Sequence, residues 1–146
     1  MNYREMNASG VSAVAALERI CFSDPWSEAS VASEVTNPLS LWLVAVSDDA
    51  VVGYVGSQSV LGEADMMNLA VLPDHRGQGI GEALVRKLIA RLAEREIHCL
   101  TLEVRVSNLP AIRLYEKLGF LQIGRRPRYY EKPREDALIL RKEWVI

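Results

Sequence analysis

The sequence predicts an α/β (α+β) fold, a mixed and mostly antiparallel sheet of about six to seven strands flanked by four helices. Three observations carry this. Stretches with apolar residues at helical spacing are interspersed with short runs rich in β-branched and aromatic residues. Three of those runs follow one another with only short breaks, the pattern of an antiparallel meander. The chain has 146 residues, 49% hydrophobic and 25% charged, the size and make-up of one ordinary globular domain. No shift of composition marks a second unit, so residues 1–146 are read as a single domain.

Residues 3–6 read as a short first strand. Val11, Val14, Ala15, Leu17, Ile20 and Cys21 recur at helical spacing and predict a helix over 9–22. Ser23-Asp24-Pro25-Trp26 breaks it, and Ser27-x-x-Ser30 opens a second helix that runs to about residue 35 before Asn37-Pro38. Residues 41–46 and 51–57 are strands, and Ser47-Asp48-Asp49-Ala50 between them reads as a hairpin turn. Residues 66–71 complete the meander. Ile80, Leu84, Val85, Leu88, Ile89 and Leu92 form the apolar stripe of a helix of about four turns. Residues 98–104 form a strand, 108–118 a helix stopped by Gly119, and 121–123 and 137–140 two closing strands. Element types alone leave the strand order open.

The net charge of −2 argues against a nucleic-acid binder driven by overall charge, and no direct nucleic-acid contact is expected. It leaves room for an acidic cleft that takes a basic substrate. Glu34, Glu63 and Asp65 are candidates for such a cleft, against the plainer reading of solvated surface acids. Cys21 and Cys99 match no zinc or CxxC spacing and read as reduced, buried small hydrophobes of a cytoplasmic protein. His75 and His98 stand alone, so no metal is expected. The first residues lack an apolar signal core, and no apolar run approaches the ~20 residues that span a bilayer.

The most informative stretch is Arg76-Gly77-Gln78-Gly79-Ile80-Gly81, which follows a strand and opens a helix. Glycines let a backbone approach a ligand closely. The helix behind them offers unpaired N–H groups and the positive end of its dipole, so together they make a pyrophosphate cradle. A P-loop would need Gly-Lys-Ser/Thr, but Gly81 is followed by Glu82-Ala83. A dinucleotide fingerprint fails too, because the third glycine comes one residue early. An Arg/Gln-x-x-Gly-x-Gly/Ala pattern fits, with Arg76, Gly79 and Gly81 in register. It resembles the acetyl-CoA pyrophosphate loop of the GNAT family of N-acetyltransferases. A second stretch runs from Asn108 through Ala111 and Tyr115-Glu116-Lys117 to Gly119-Phe120. It is similar to that family's Asn-x-x-Ala-x-x-x-Tyr-Glu-Lys-x-Gly-Phe motif. Asn108 is also a good N-cap, and Pro110 is tolerated in a first helical turn.

Strand alternation puts Leu100, Leu102 and Val104 on one face and Thr101, Glu103 and Arg105 on the other. A carboxylate within an apolar strand is costly to bury unless it is paired or faces a wet cleft. Glu103 is therefore either bridged to a residue such as Arg105 or Arg113, or a general base. An amine with a pKa of ~8 is mostly protonated at neutral pH and cannot attack a thioester until a base removes its proton. A departing thiolate needs an acid, and the carbonyl oxygen needs donors as it gains charge.

The resemblance implies a GNAT fold and places the base at Glu103 and the acid at Tyr115. It places acetyl-CoA against Leu69, Ala70 and Val71, along Arg76, Gly77, Gln78, Gly79, Ile80, Gly81 and Glu82, and at Asn108. Backbone N–H groups of residues 69–71 can serve the carbonyl oxygen if a bulge frees one, and the same edge can pair with the amide-bearing pantetheine arm.

Within the family the chain resembles the RimI type. The carrying stretches are Arg4-Glu5-Met6, Glu18-x-x-Cys21-Phe22-x-x-Pro25-Trp26-Ser27, and Arg128-Tyr129-Tyr130 with Asp136-Ala137-Leu138. That type acetylates the N-terminal alanine of a small-subunit ribosomal protein, so a ribosomal protein N-terminus is the expected substrate. Trp26 then either borders the acceptor or anchors its own loop, and Tyr129 and Tyr130 either wall a peptide channel or simply pack. A small-molecule amine or lysine acetyltransferase, and a non-catalytic acetyl-CoA-binding module, remain the rival readings.

Overall fold

The computed structural model describes residues 1–145. The strands are β1 (Asn2–Glu5), β2 (Ser40–Ser47), β3 (Ala50–Val60), β4 (Glu63–Val71), β5 (Cys99–Arg105), β6 (Leu121–Glu131) and β7 (Arg134–Glu143). The helices are α1 (Val11–Cys21), α2 (Glu28–Val35), α3 (Ile80–Glu94) and α4 (Leu109–Lys117), with short 3-10 turns before α1 and α3. One seven-stranded sheet has the order β1-β2-β3-β4-β5-β7-β6, and within it only β4 and β5 run parallel. This is the mixed α/β architecture, with a mostly antiparallel sheet and four helices, expected from the chain.

Alternation along β2 sorts the core into two layers. Leu41, Leu43 and Ala45 point to one face with α3, while Trp42, Val44 and Val46 point to the other with α1 and α2. Ser27 caps α2 by accepting from the Ser30 N–H, as the Ser-x-x-Ser spacing anticipated. Asp48 and Asp49 take positive φ in a two-residue hairpin. Asp and Asn tolerate this conformation better than most residues.

Two differences from the sequence reading have physical causes. β4 begins at Glu63 rather than 66, because Leu61 and Gly62 both take positive φ in a tight hairpin. An exposed leucine there gives no turn signal. β6 and β7 extend far beyond 121–123 and 137–140. β6 is the sheet edge and is exposed along most of its length, so it carries no apolar alternation to read.

Gly56 is a packing requirement. A Cβ there would lie 2.4 Å from the Trp42 ring, which is stacked on Tyr54 at 5.7 Å. Gly56→Ala should destabilise the fold by about 1–3 kcal/mol. Gly10→Ala, where the nearest atom is 3.8 Å away, should not. Urea unfolding midpoints of the two variants check this.

Candidate active site

The site begins where two strands part. β4 and β5 pair only through Glu63 with Cys99, Ala64 with Leu100 and Asp65 with Thr101. Beyond those residues they separate, leaving a wedge-shaped gap in the middle of the sheet. A bulge helps to open it. Asn68 pairs with Gly56 and Met66 with Ser57, so Met67 is the extra residue on β4. The bulge therefore lies just before the segment 69–71, not inside it. Leu72 N–H donates to Val52 C=O at 2.8 Å. By ladder alternation, the Leu69 and Val71 N–H groups then face away from β3, into the gap. Ala70 turns its side chain into the α1 layer, so it can offer the gap only backbone.

The glycine loop closes the wide end of this gap. Gly77 and Gly79 take φ of +77° and +80°, and a Cβ built on either meets nothing within 4 Å. The two glycines are needed for backbone conformation, and the space beside them is open for a ligand. Gly79 is the N-cap residue of α3, so the helix directs its unpaired N–H groups at that space. Ile80 is buried core, and a Cβ built on Gly81 would meet the Leu114 side chain at 3.7 Å. Gln78 is exposed. Arg76 pins the loop to the strand, donating from Nε to Val71 C=O at 3.1 Å and from a terminal nitrogen to Cys21 Sγ at 3.5 Å. Glu82 bonds Lys117 at 2.7 Å and Arg86 at 3.0 Å, and these cations hold its carboxyl below the usual range. That neutralises a carboxylate that would otherwise oppose a phosphate. Asn108 caps α4, with Oδ1 accepting from the Ala111 N–H at 3.3 Å. These open, donor-lined features fit a diphosphate with an amide-bearing arm.

Glu103 and Tyr115 approach the narrow end of the gap from opposite faces. Leu100, Leu102 and Val104 join the α3 layer, so Thr101, Glu103 and Arg105 lie on the other face, as alternation predicted. Helices α1 and α2 cover β2 to β4 there, and Glu103 stays partly exposed. Its ion-pair partner is Arg126 at 3.7 Å, not Arg105 or Arg113. Arg105 instead bonds Glu135 and the carbonyls of Lys132 and Pro133. Tyr115 is buried in the α3 layer, edge-on to Phe120. Its hydroxyl lies 3.7 Å from Met66 Sδ, next to the last paired residue of β4. Burial pushes that phenol far above its usual range. Burial also pushes Tyr130 up to about 12, with Tyr129 and Glu103 adding to the effect. Tyr130 lies under the Arg105 guanidinium at 4.2 Å.

The three acids weighed as cleft or surface residues divide. Glu34 is buried, bonded to Ser40, Asn37 and Gln58, and Glu63 is bridged to Arg141. Asp65 lines an open trough of about 470 Å³ that also includes Thr101. Trp26 packs edge-on against Trp42 at 5.4 Å, so an anchoring role is present. Glu18 entered the sequence reading only as part of a resemblance and with no role, yet it is fully buried and accepts from the Trp26 N–H at 2.8 Å, from Asn68 Nδ2 at 2.9 Å and from the Tyr54 hydroxyl. The signal was there, in a charge set within the apolar stripe of α1. Among the described residues no group of His, Cys, Asp and Glu could hold a metal, and no helix is long and apolar enough to cross a membrane.

Comparison with known proteins adds to this geometry. A model of the acetyltransferase (GNAT) family matches residues 11–120. The chain is 40% identical over 126 residues to the ribosomal protein bS18-alanine N-acetyltransferase of Escherichia coli, covering 85% of this chain and 84% of that one. It is 38% identical over 143 residues to a Bacillus subtilis protein to which the same activity is provisionally ascribed, covering 97% and 93%. The crystal structure of the ribosomal-protein-S18-alanine N-acetyltransferase from E. coli superposes with a TM-score of 0.91 at 35% identity, covering 99% of this chain and 94% of that one.

Proposed function

The chain belongs to the acetyltransferase (GNAT) family of acetyl-CoA-dependent enzymes, and from that premise we propose that it acetylates the N-terminal alanine amine of ribosomal protein bS18. The observation that carries the proposal is identity of about 40% to an E. coli enzyme of that name, over most of both chains. The geometry is consistent with it. A protein N-terminus is a narrow, extended acceptor, and Glu103 is partly exposed on the sheet face it would have to reach. A ribosomal substrate makes the enzyme cytoplasmic.

Acetyl-CoA supplies the acetyl group as a thioester and departs as the thiol. The glycine loop and the first turn of α3 hold its diphosphate, and Asn108 lies at the start of the adjoining helix. Glu103 takes a proton from the acceptor amine, directly or through a water, which frees the lone pair. The N–H groups of Leu69 and Val71 that face the gap are the donors available to the carbonyl oxygen. Tyr115 keeps its proton at neutral pH, because burial disfavours its anion, and so can deliver it to the departing sulfur. No step needs a cysteine nucleophile. Cys99 is buried and its thiol is pushed up by burial, and Cys21 bonds the loop.

The test is an acetylation assay on peptides that begin with alanine in the bS18 sequence, with free or blocked N-termini, read by mass spectrometry. One acetyl group on the α-amine of free peptides, and none on blocked ones, is the expected result. Acetyl groups on lysine side chains, or equal labelling of blocked peptides, would replace this substrate with another.

A further inference from the structure

Three separate elements meet on one buried carboxylate. Glu18 of α1 accepts from the loop between α1 and α2 (Trp26 N–H), from β3 (Tyr54 hydroxyl) and from β4 (Asn68 Nδ2). Asn68 directly follows the bulge at Met67. The side chains repeat the link in aromatic form. Trp26 packs on Trp42, Trp42 stacks on Tyr54, and Tyr54 returns to Glu18. The loop also crosses to the far side of the cleft, where Ser23 Oγ donates to Lys132 C=O at 2.5 Å. Arg105 holds that same carbonyl and lies on the Glu103 face. Residues 22–27 thus reach the turn between β6 and β7 that Arg105 holds from the Glu103 face of β5, and Glu18 ties their backbone to the strand that lines the gap.

We propose that Glu18 is a positioning residue for the acceptor: it fixes the α1–α2 loop over the approach to Glu103, so that acceptor affinity depends on it while acetyl-CoA binding does not. This rests on the acetyltransferase reading above. A buried carboxylate with three donors is a demanding choice for mere packing. Burial raises its pKa, and the Trp26 and Asn68 donors oppose the rise. An apolar residue would fill the space at lower cost. A carboxylate has lone pairs enough to take all three donors at once. A glutamine can accept through its single carbonyl oxygen but turns an NH2 toward the remaining donors.

The experiment uses the full chain with Glu18→Gln, Tyr54→Phe and the double variant. Steady-state kinetics on a free-N-terminal alanine peptide are paired with acetyl-CoA binding and thermal melting. Glu18→Gln should raise the peptide KM about tenfold, the scale of one lost hydrogen bond to a charged group. Its kcat and acetyl-CoA Kd should stay within about twofold. Tyr54→Phe should raise KM less, and the double variant should fall short of the product of the two effects, because both act through one carboxylate. A lowered melting point with an unchanged peptide KM would make Glu18 purely structural and overturn the proposal. If Glu18→Gln does not fold, an unchanged KM in Tyr54→Phe overturns it equally. If the wild type acetylates no peptide, the substrate reading fails separately. Hydrogen exchange of residues 22–27 then decides, with faster exchange in Tyr54→Phe in its favour and unaltered exchange against it.

Discussion

Glu103→Gln should lower turnover by about 10²-fold or more, with acetyl-CoA affinity nearly unchanged. The substitution keeps the size and shape of the side chain and removes only its ability to take a proton. Its cost to the fold is small. The one ion pair it breaks spans 3.7 Å between partly exposed groups, and such pairs contribute about 0–1 kcal/mol. A fall in rate therefore reports chemistry rather than unfolding. Because a free amine needs no base, the deficit should shrink as pH rises toward the amine's pKa of ~8. Turnover measured from pH 6 to 9 checks both points. A variant matching wild type throughout that range would remove Glu103 from the base role.

Tyr115→Phe should also cost about 10²-fold in turnover, by a different route. The hydroxyl's contact is the Met66 sulfur at 3.7 Å, a weak acceptor. Phenylalanine keeps the edge contact with Phe120 and the packing in the α3 layer. Stability should change by less than about 1 kcal/mol, since little hydrogen bonding is lost. The sign of the pH effect follows from burial. Tyr115 is held protonated well above the usual phenol range, so it remains a competent acid across pH 6 to 9. Any alkaline limb in the wild-type profile then belongs to another group. Melting temperature and kcat, measured on one preparation, separate a loss of acid from a loss of fold.

The legible parts of the site were those in which chemistry dictates residue type locally. The glycines at 77 and 79 announce a close backbone approach, Asn108 announces a cap, and alternation along β5 alone assigns Glu103 its face. What stayed hidden depends on pairing across the chain. The Arg126 partner of Glu103 comes from the edge strand, and its approach depends on register shifts in the β6–β7 ladder. No local pattern encodes those shifts. Glu18 was legible only as an anomaly, because its donors lie 8, 36 and 50 residues away. The fold was read well where strands are buried, as in β2, and poorly where they are exposed, as in β6.

The brief pairing of β4 with β5 has a mechanical consequence. The sheet is two panels, β1 to β4 and β5 with β7 and β6, joined along a seam three residue pairs long. Past the seam the peptide groups of both panels lack the cross-links that a continuous sheet would give them. An amide-bearing molecule bound between the panels, as proposed for the acetyl donor, would supply the missing rungs, so the molecule being processed would also brace the scaffold that processes it.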